Sequence, residues 1–256
     1  MTKKLIRFLN SILKRFNVSI VKHSTILKYH KYDRIHKYLE NIPDNKVSKV
    51  FEIFEISQSQ IYQDIFVLNE LDYKRNGFFV EFGATNGKTM SNTYILEKEF
   101  GWNGILAEPA ICWHGELKSN RNCYIDTHCV WNKSNEVLKF NQVSVAEYST
   151  IDGFKYTDHS KHNLNNSYEV ETISLEDLLL KYNAPQVIDY LSIDTEGSEY
   201  QILKNFNFSK YDIRIITCEH NLSPMRDKIY SLLIKQGYAR KYTDFSRWDD
   251  WYVKLI

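Results

Sequence analysis

The sequence predicts an α/β fold, a doubly wound and mostly parallel sheet preceded by a helical extension. Three observations carry that expectation. From Gly77 onward, short apolar runs alternate with stretches of helical periodicity, the βαβαβ pattern of a parallel sheet covered on both faces. The first run ends in a turn bracketed by glycines, Gly83-Ala84-Thr85-Asn86-Gly87. The second run ends in an acid, Glu108, placed 25 residues after Gly83 and followed by Pro109.

Taken in chain order, Leu5, Phe8, Leu9, Ile12, Leu13 and Phe16 recur at helical spacing among Lys4, Arg7, Lys14 and Arg15. They predict a basic amphipathic helix. Ile26–Leu39 is a second helix, stopped by Ile42-Pro43-Asp44-Asn45. Phe78–Phe82 is the first strand and Lys88–Phe100 the helix after it. Gly104–Glu108 follows as a strand, Cys112–Ser119 as a helix and Cys123–Asp126 as a third strand. Glu136–Tyr168 is polar and aperiodic, and predicts an irregular insertion that serves as a lid or as a surface excursion. The pattern then resumes with helix Glu176–Tyr182, strand Val187–Ile193, helix Ser198–Phe206 and strand Ile213–Cys218. Pro224–Gln236 is a helix with proline in its first turn. Tyr238–Tyr242 and Trp251–Leu255 close the sheet as an antiparallel pair, with Trp248 and Trp251 read as core and hairpin packing.

Composition sets outer limits. Of 256 residues, 43% are hydrophobic and 25% charged, values that exclude wholesale disorder. The formal charge of +1 excludes coating of nucleic acid through a strong positive field. That charge is a cancellation: residues 1–50 hold 12 Lys/Arg and 3 Asp/Glu, and the remainder 21 and 29. The basic segment suits a peripheral contact with an anionic inner-membrane surface, or docking on its own domain or on a second copy of the chain. Cys112, Cys123, Cys129 and Cys218 form no C-x-x-C pair, and read as reduced thiols of a cytoplasmic protein. A zinc site at Cys123, His128 and Cys129 lacks a common spacing. Arg7, Asn10, Lys14 and Arg15 interrupt the first apolar stretch too early for a signal peptide, and no run is long enough to span a bilayer.

The chemistry is expected at the carboxyl ends of the strands. Those ends carry Glu81, Gly83 to Gly87, Glu108, Ser192-Ile193-Asp194-Thr195-Glu196-Gly197 and Cys218-Glu219-His220-Asn221. Glu108 is placed to accept hydrogen bonds from a ribose diol. A dinucleotide would bring G-x-G-x-x-G, whereas Gly83 and Gly87 stand four apart with no glycine between them. Glu81 would repel a phosphate but suits an ammonium group. S-adenosylmethionine, which has an ammonium and a ribose and no phosphate, therefore fits better than NAD or ATP. No G-x-x-x-x-G-K-[ST] is present.

Three segments together resemble the FkbM family of S-adenosylmethionine-dependent methyltransferases: Phe79-Val80-Glu81-Phe82-Gly83-Ala84-Thr85-Asn86-Gly87, Leu106-Ala107-Glu108-Pro109, and Leu191-Ser192-Ile193-Asp194-Thr195-Glu196-Gly197-Ser198-Glu199. Ser59, Gln60, Gln63 and Asp64, with Ser91-Asn92-Thr93, resemble further motifs of one bacterial branch. The resemblance divides the chain into a basic extension, 1–56, and a methyltransferase domain, 57–256. It implies the class I, Rossmann-like sheet of seven strands with the last antiparallel. It also implies that Glu81, Gly83 and Gly87 surround the methionine moiety, that Glu108 holds the ribose, and that Ala84, Thr85, Asn86, Ser91, Asn92 and Pro109 belong to the cofactor site. Asp126, Cys129 and Val130 would border the adenine, Asp194 would lie near the sulfonium, and Gln63 and Asp64 would cover the cofactor.

Methyl transfer to a hydroxyl needs alignment, exclusion of water and removal of one proton. His220, expected to face the cleft, is the first candidate base, with Asp194, Glu196 and Glu219 competing. The acids at neighbouring strand ends suit a divalent cation as well, although no metal ligands are assigned. The resemblance implies a small-molecule or glycan acceptor, such as a hydroxyl on a capsular or lipopolysaccharide sugar or on a phosphorylated or nucleotide-linked precursor. His159, Lys161 and His162 would suit an anionic acceptor. An NAD-dependent oxidoreductase and a non-catalytic membrane or assembly factor with the same fold are the competing readings.

Overall fold

The computed structural model describes residues 3–16, 18–154 and 163–255, with side chains for all of these except 3, 4 and 27–31. His159, Lys161 and His162 lie outside the described residues. The chain forms two compact units, Met1–Val47 and Ser48–Ile256. The first holds α1 (Lys3–Leu13), α2 (His23–Leu39) and the start of α3 (Asp44–Phe54). Within it, Asn10 clips the turn between the two helices, donating to Ile20 O at 2.9 Å and accepting from Ile20 N at 2.6 Å. Leu5, Phe8 and Ile12 of α1 are exposed. No helix among the described residues is long and apolar enough to cross a membrane.

The second unit continues with α4 (Gln63–Glu70), β1 (Phe78–Phe82), α5 (Tyr94–Lys98), β2 (Asn103–Ala107), α6 (His114–Asn120) and β3 (Tyr124–Asp126). Then come β4 (Cys129–Trp131), β5 (Val137–Val143), β6 (Thr150–Ile151), β7 (Leu164–Ser174), α7 (Leu175–Lys181) and β8 (Val187–Ile193). The last elements are α8 (Glu199–Asn205), β9 (Asp212–Glu219), α9 (Met225–Lys235), β10 (Tyr238–Lys241) and β11 (Asp249–Lys254).

Seven strands form the main sheet in the order β3-β2-β1-β8-β9-β11-β10. Among the described residues every pairing is parallel except the two made by β11. This is the class I arrangement expected of the sequence. The central strands read as continuous apolar runs because both their faces are covered. Val80, Ile105, Leu191 and Ile216 meet Leu178, Ile202, Ile229 and Leu233 of the helices in one buried cluster.

The chain leaves β1 toward β2 and β3, and returns later to place β8 on the other side of β1. The switch point therefore lies at the carboxyl ends of β1 and β8, where a crevice opens. Gly83 sits there with φ +70°, and a Cβ at that position would stand 1.9 Å from the Asp194 carbonyl oxygen. Only glycine permits the two strand ends to approach so closely.

Three expectations are corrected. The helix expected over Lys88–Phe100 is confined to Tyr94–Lys98, because residues 91–93 are drawn aside by Glu81. Its carboxylate accepts from Asn92 N at 2.7 Å, Ser91 Oγ at 3.0 Å and Thr93 Oγ1. The insertion after Glu136 is not irregular in its first and last parts. There β5 pairs antiparallel with β7 in a second sheet of order β4-β7-β5-β6. Alternation of Val170 and Thr172 inward with Glu169 and Glu171 outward makes β7 a half-buried strand whose polar face resembles a loop in sequence. Lastly, α3 and α4 were not anticipated. Nearly all of α4 is buried, Gln63, Asp64 and Asn69 included, so it carries no amphipathic signal.

Candidate functional site

A cavity of about 610 Å³ opens at the switch point, within the range of small-molecule sites. Its walls are the turns after β1, β2, β8 and β9, the β4 strand, the segment 145–151 and residues reaching in from 60 to 63 and from Trp248. Gln63, Gly83, Ala84, Thr85, Ser91, Asn92, Glu108, Pro109, Cys129, Val130, Asp194 and Glu196 all line it.

Glu108 is buried at the end of β2 with each carboxylate oxygen held by one backbone donor. Thr85 N reaches Oε2 at 2.7 Å and Ala110 N reaches Oε1 at 2.8 Å. One lone pair on each oxygen remains for a ligand. Burial pushes its pKa up to about 7 against these two hydrogen bonds, and the charge of Asp194 adds to the rise. Beside it, Cys129 and Val130 form an apolar wall.

Asn92 is also buried. Its amide nitrogen donates to Ser192 Oγ at 2.9 Å, whereas its Oδ1 has no protein partner. A buried acceptor left open on a cavity wall is a vacancy for a donor supplied from the cavity.

The floor is acidic. Asp194, Glu196 and Glu219 each bring a carboxylate oxygen within 4.8 Å of the others. Loss of solvent raises the pKa of all three. For Glu196 and Glu219 the next cause is the charge of Asp194, while for Asp194 a hydrogen bond from Glu219 works against the rise. Glu196 has φ +58°, in the left-handed region that costs a residue with a Cβ about 1–2 kcal/mol. Strain of this kind persists only where the surroundings hold it. Glu199, just behind, accepts from Thr195 N at 3.1 Å and Gly197 N at 2.9 Å, which fixes the turn carrying Asp194 and Glu196.

Five expected cofactor contacts and the expected base are placed elsewhere. Glu81 is not on the cavity wall. It is buried behind Ser91–Thr93 with the Arg121 guanidinium 3.7 Å away, and it shapes the wall from behind. Asp64 is completely buried and accepts from Ser57 Oγ at 2.7 Å, Ser59 Oγ at 2.6 Å and Ile65 N at 2.8 Å. It knots the segment that carries Gln60 and Gln63. Asn86 caps its own turn by accepting from Lys88 N at 3.0 Å and Thr89 N at 2.9 Å. Gly87, at φ +73°, leaves room for Leu117 and Arg121, not for a ligand. Asp126 is occupied by Lys181 Nζ at 2.8 Å and by the backbone and ring nitrogens of His128 at 2.8 and 2.6 Å. His220 turns away from the cavity. Its Nδ1 accepts from Leu222 N at 3.0 Å, which leaves the proton on Nε2, 3.6 Å from Asp250. A ring turned from the cavity, with Nδ1 already accepting from the backbone, is not placed to take a proton from a substrate there.

Residues missed in sequence complete the wall. Trp248 lines the cavity and its Nε1 donates to Gln60 Oε1 at 3.3 Å, whereas Trp251 is wholly buried as expected. The signal for Trp248 was its place one residue before β11, at the same end of the sheet as the cleft. Phe140 and the segment from Val145 to Ile151 also line the cavity. Their polar, aperiodic sequence gave no signal beyond the suspicion of a lid. Arg121 donates from Nε to Glu97 at 2.6 Å, from Nη1 to Gly87 O at 3.0 Å and from Nη2 to Thr93 Oγ1 at 2.9 Å. It is the cation that holds the wall from behind.

Residues 81–251 match the methyltransferase FkbM domain. No curated protein matches the chain. Among solved structures, the chain is similar to precorrin-6y C5,15-methyltransferase of Geobacter metallireducens GS-15, at 11% identity and TM-score 0.39, over 74% of this chain and 85% of that one. It is similar to a chain of a fibrillarin/Nop5p complex at 13% identity and TM-score 0.38, over 77% and 81%. It is likewise similar to human methyltransferase 10 domain containing protein at 12% identity and TM-score 0.35, over 98% and 95%. The fold assignment rests on the strand order itself.

Proposed function

This chain belongs to the methyltransferase FkbM family, and from that membership we propose that it transfers a methyl group from S-adenosylmethionine to a hydroxyl oxygen. The acceptor is read as a sugar or a phosphorylated or nucleotide-linked precursor of a bacterial surface polysaccharide, capsule or lipopolysaccharide. The observation that carries the cofactor is the unpartnered Asn92 Oδ1, on a residue that lines the same cavity as Glu108. A ligand with an ammonium group at one end and a vicinal diol further along would satisfy both.

The donor set fits the group. Asn92 Oδ1 would accept from the ammonium, Glu108 would accept from the ribose hydroxyls, and Cys129 and Val130 would flank the base. Bound there, S-adenosylmethionine supplies an electrophilic methyl carbon whose bonding pair stays on sulfur as the acceptor oxygen takes the methyl. The protein's part is to exclude water, align the acceptor and remove its proton. With His220 turned away, Glu196 is the base, its carboxylate on the cavity wall and made more basic by burial and by the charge of Asp194. Trp248 and Tyr148 offer flat apolar faces, and Ser149 and Asn221 offer hydrogen bonds, a mixture suited to a sugar.

Thermal-shift measurements on the full chain with S-adenosylhomocysteine and with NAD test the reading. A rise in melting temperature with the first alone is expected. Asn92→Leu should weaken S-adenosylhomocysteine about tenfold or more, the worth of one hydrogen bond to a charged group. Stabilisation by NAD alone, or unchanged affinity in Asn92→Leu, would overturn it.

A further inference from the structure

We propose that Asp194, Glu196 and Glu219 hold a divalent cation on the cavity floor, and that this cation takes the acceptor oxygen as one of its ligands. The inference rests on the methyl-transfer reading of the same cavity and extends it to the metal and the substrate's anchoring point. With the cation bound, Glu196 is a ligand, and acidification of the acceptor hydroxyl by the cation replaces the raised basicity of Glu196.

The three carboxylate oxygens lie within 4.8 Å of one another on two adjacent strand ends and the turn after one of them. Oxygens on opposite sides of an ion stand at twice the metal–oxygen distance, about 4.1 Å for Mg²⁺ and about 4.6–5.2 Å for Ca²⁺. One hard cation therefore spans the cluster with little movement, and an all-oxygen set selects Mg²⁺, Mn²⁺ or Ca²⁺ over zinc or copper.

A separate observation points to a ligand. Glu219 is 7% exposed and lines the cavity, yet its Oε2 has no hydrogen-bond partner. Three of the other buried carboxylates face a cation of the protein's own, whereas Asp64, Glu108, Glu199 and Asp249 are held by hydrogen-bond donors. Asp189 meets Lys74 at 2.7 Å, Asp126 meets Lys181 at 2.8 Å, and Asp250 meets Arg226 at 2.8 Å. Among the described residues no lysine, arginine or histidine pairs with Asp194, Glu196 or Glu219. Three neighbouring acids with no such partner, two of them buried and one of those with an unpartnered oxygen, are the complement of a small multivalent cation. Asn221 reaches Glu196 Oε2 at 3.5 Å and steadies it from the cavity side. The floor lies in the same cavity as Asn92 and Glu108, so a cofactor and a cation-held acceptor can be present together.

Mn²⁺ is the probe. Full-length protein is titrated with Mn²⁺ and the free ion is followed by electron paramagnetic resonance, with and without S-adenosylhomocysteine, whose neutral sulfur cannot stand in for the cation. One Mn²⁺ per chain is expected, weakened about tenfold or more by Glu219→Gln and by Asp194→Asn, and less by Glu219→Asp, which keeps the carboxylate. Both neutral variants remove charge from a repelling cluster, so metal-free protein carrying them should melt no lower than the wild type. Absence of stoichiometric Mn²⁺ binding in both conditions, or wild-type Mn²⁺ affinity in Glu219→Gln, overturns the cation site. S-adenosylhomocysteine affinity measured without metal separates the two readings. If it binds and Mn²⁺ does not, the cation alone is lost; if Mn²⁺ binds and it does not, the methyl-transfer reading is lost.

Discussion

Replacing Glu108 with glutamine tests the cofactor wall through stability before any ligand is added. The carboxyl has a pKa of about 7 in the fold against an ordinary 4.5. Its protonated form is thus favoured by folding. The associated stability is complete below pH ~4.5 and is lost as pH rises toward 7, the folded state binding the extra proton in that window. At 1.36 kcal/mol per pH unit the loss amounts to about 3 kcal/mol, an order-of-magnitude figure for a fully buried group. Glutamine does not titrate. It also offers one oxygen where Thr85 N and Ala110 N need two acceptors, a fixed cost of about 1–3 kcal/mol at every pH. Urea unfolding of both proteins from pH 5 to pH 8 should show the variant clearly weaker at pH 5, and the gap closing by about 3 kcal/mol at pH 8. A gap that stays constant across that range would mean that Glu108 is not held as an unwilling anion. The ribose role predicts a linked effect. S-adenosylhomocysteine should bind wild type more tightly as pH rises through 7, and this dependence should vanish in Glu108→Gln.

Arg121→Met leaves Glu81 and Glu97 without their buried cation, and should cost about 3–5 kcal/mol in urea unfolding; a loss below 1 kcal/mol would deny the guanidinium its central place. His220→Ala strips Leu222 N of its acceptor and should cost about 1–3 kcal/mol while S-adenosylhomocysteine affinity stays within about twofold. Weakened binding at unchanged stability would instead return the ring to the site. Removal of residues 1–22 takes away the exposed Leu5, Phe8 and Ile12 together with their basic neighbours. Co-sedimentation with phosphatidylserine-containing vesicles should then be lost, and in the full chain it should fall with added salt. Equal retention of both chains would exclude the arm as a membrane contact.

The strands and their order of function were legible because a parallel sheet writes itself as apolar runs, and the cleft lies at their carboxyl ends by topology alone. Gly83, Glu108, Asp194 and Glu196 could be placed at that edge from sequence. Which way a side chain turns there could not. Glu81 and Asp126 sit at strand ends as surely as Glu108 does. Arg121 and Lys181, distant in sequence, claim their carboxylates from behind the sheet. His220 is directed by the turn that follows it, where Asn221 and Leu222 both take positive φ and bring Leu222 N onto the ring. Residues 145–151 were illegible because a loop that lines a ligand cavity needs neither periodicity nor apolar content.

Glu81 shows why partner assignment matters more than position. Were it an electrostatic partner of the cofactor's ammonium, Arg121 would oppose it, and removing the arginine would tighten binding by unmasking the negative charge. The geometry argues the reverse. Glu81 spends its oxygens on Ser91, Asn92 and Thr93, and Arg121 bonds Ser91, Thr93 and Gly87 from the same side. The two ions together fix the backbone that carries Asn92, whose neutral Oδ1 is the atom proposed to accept from the cofactor. Arg121→Met should therefore weaken S-adenosylhomocysteine as well as the fold, and the sign of that change decides whether the acid of this turn acts through its charge or through the wall it builds.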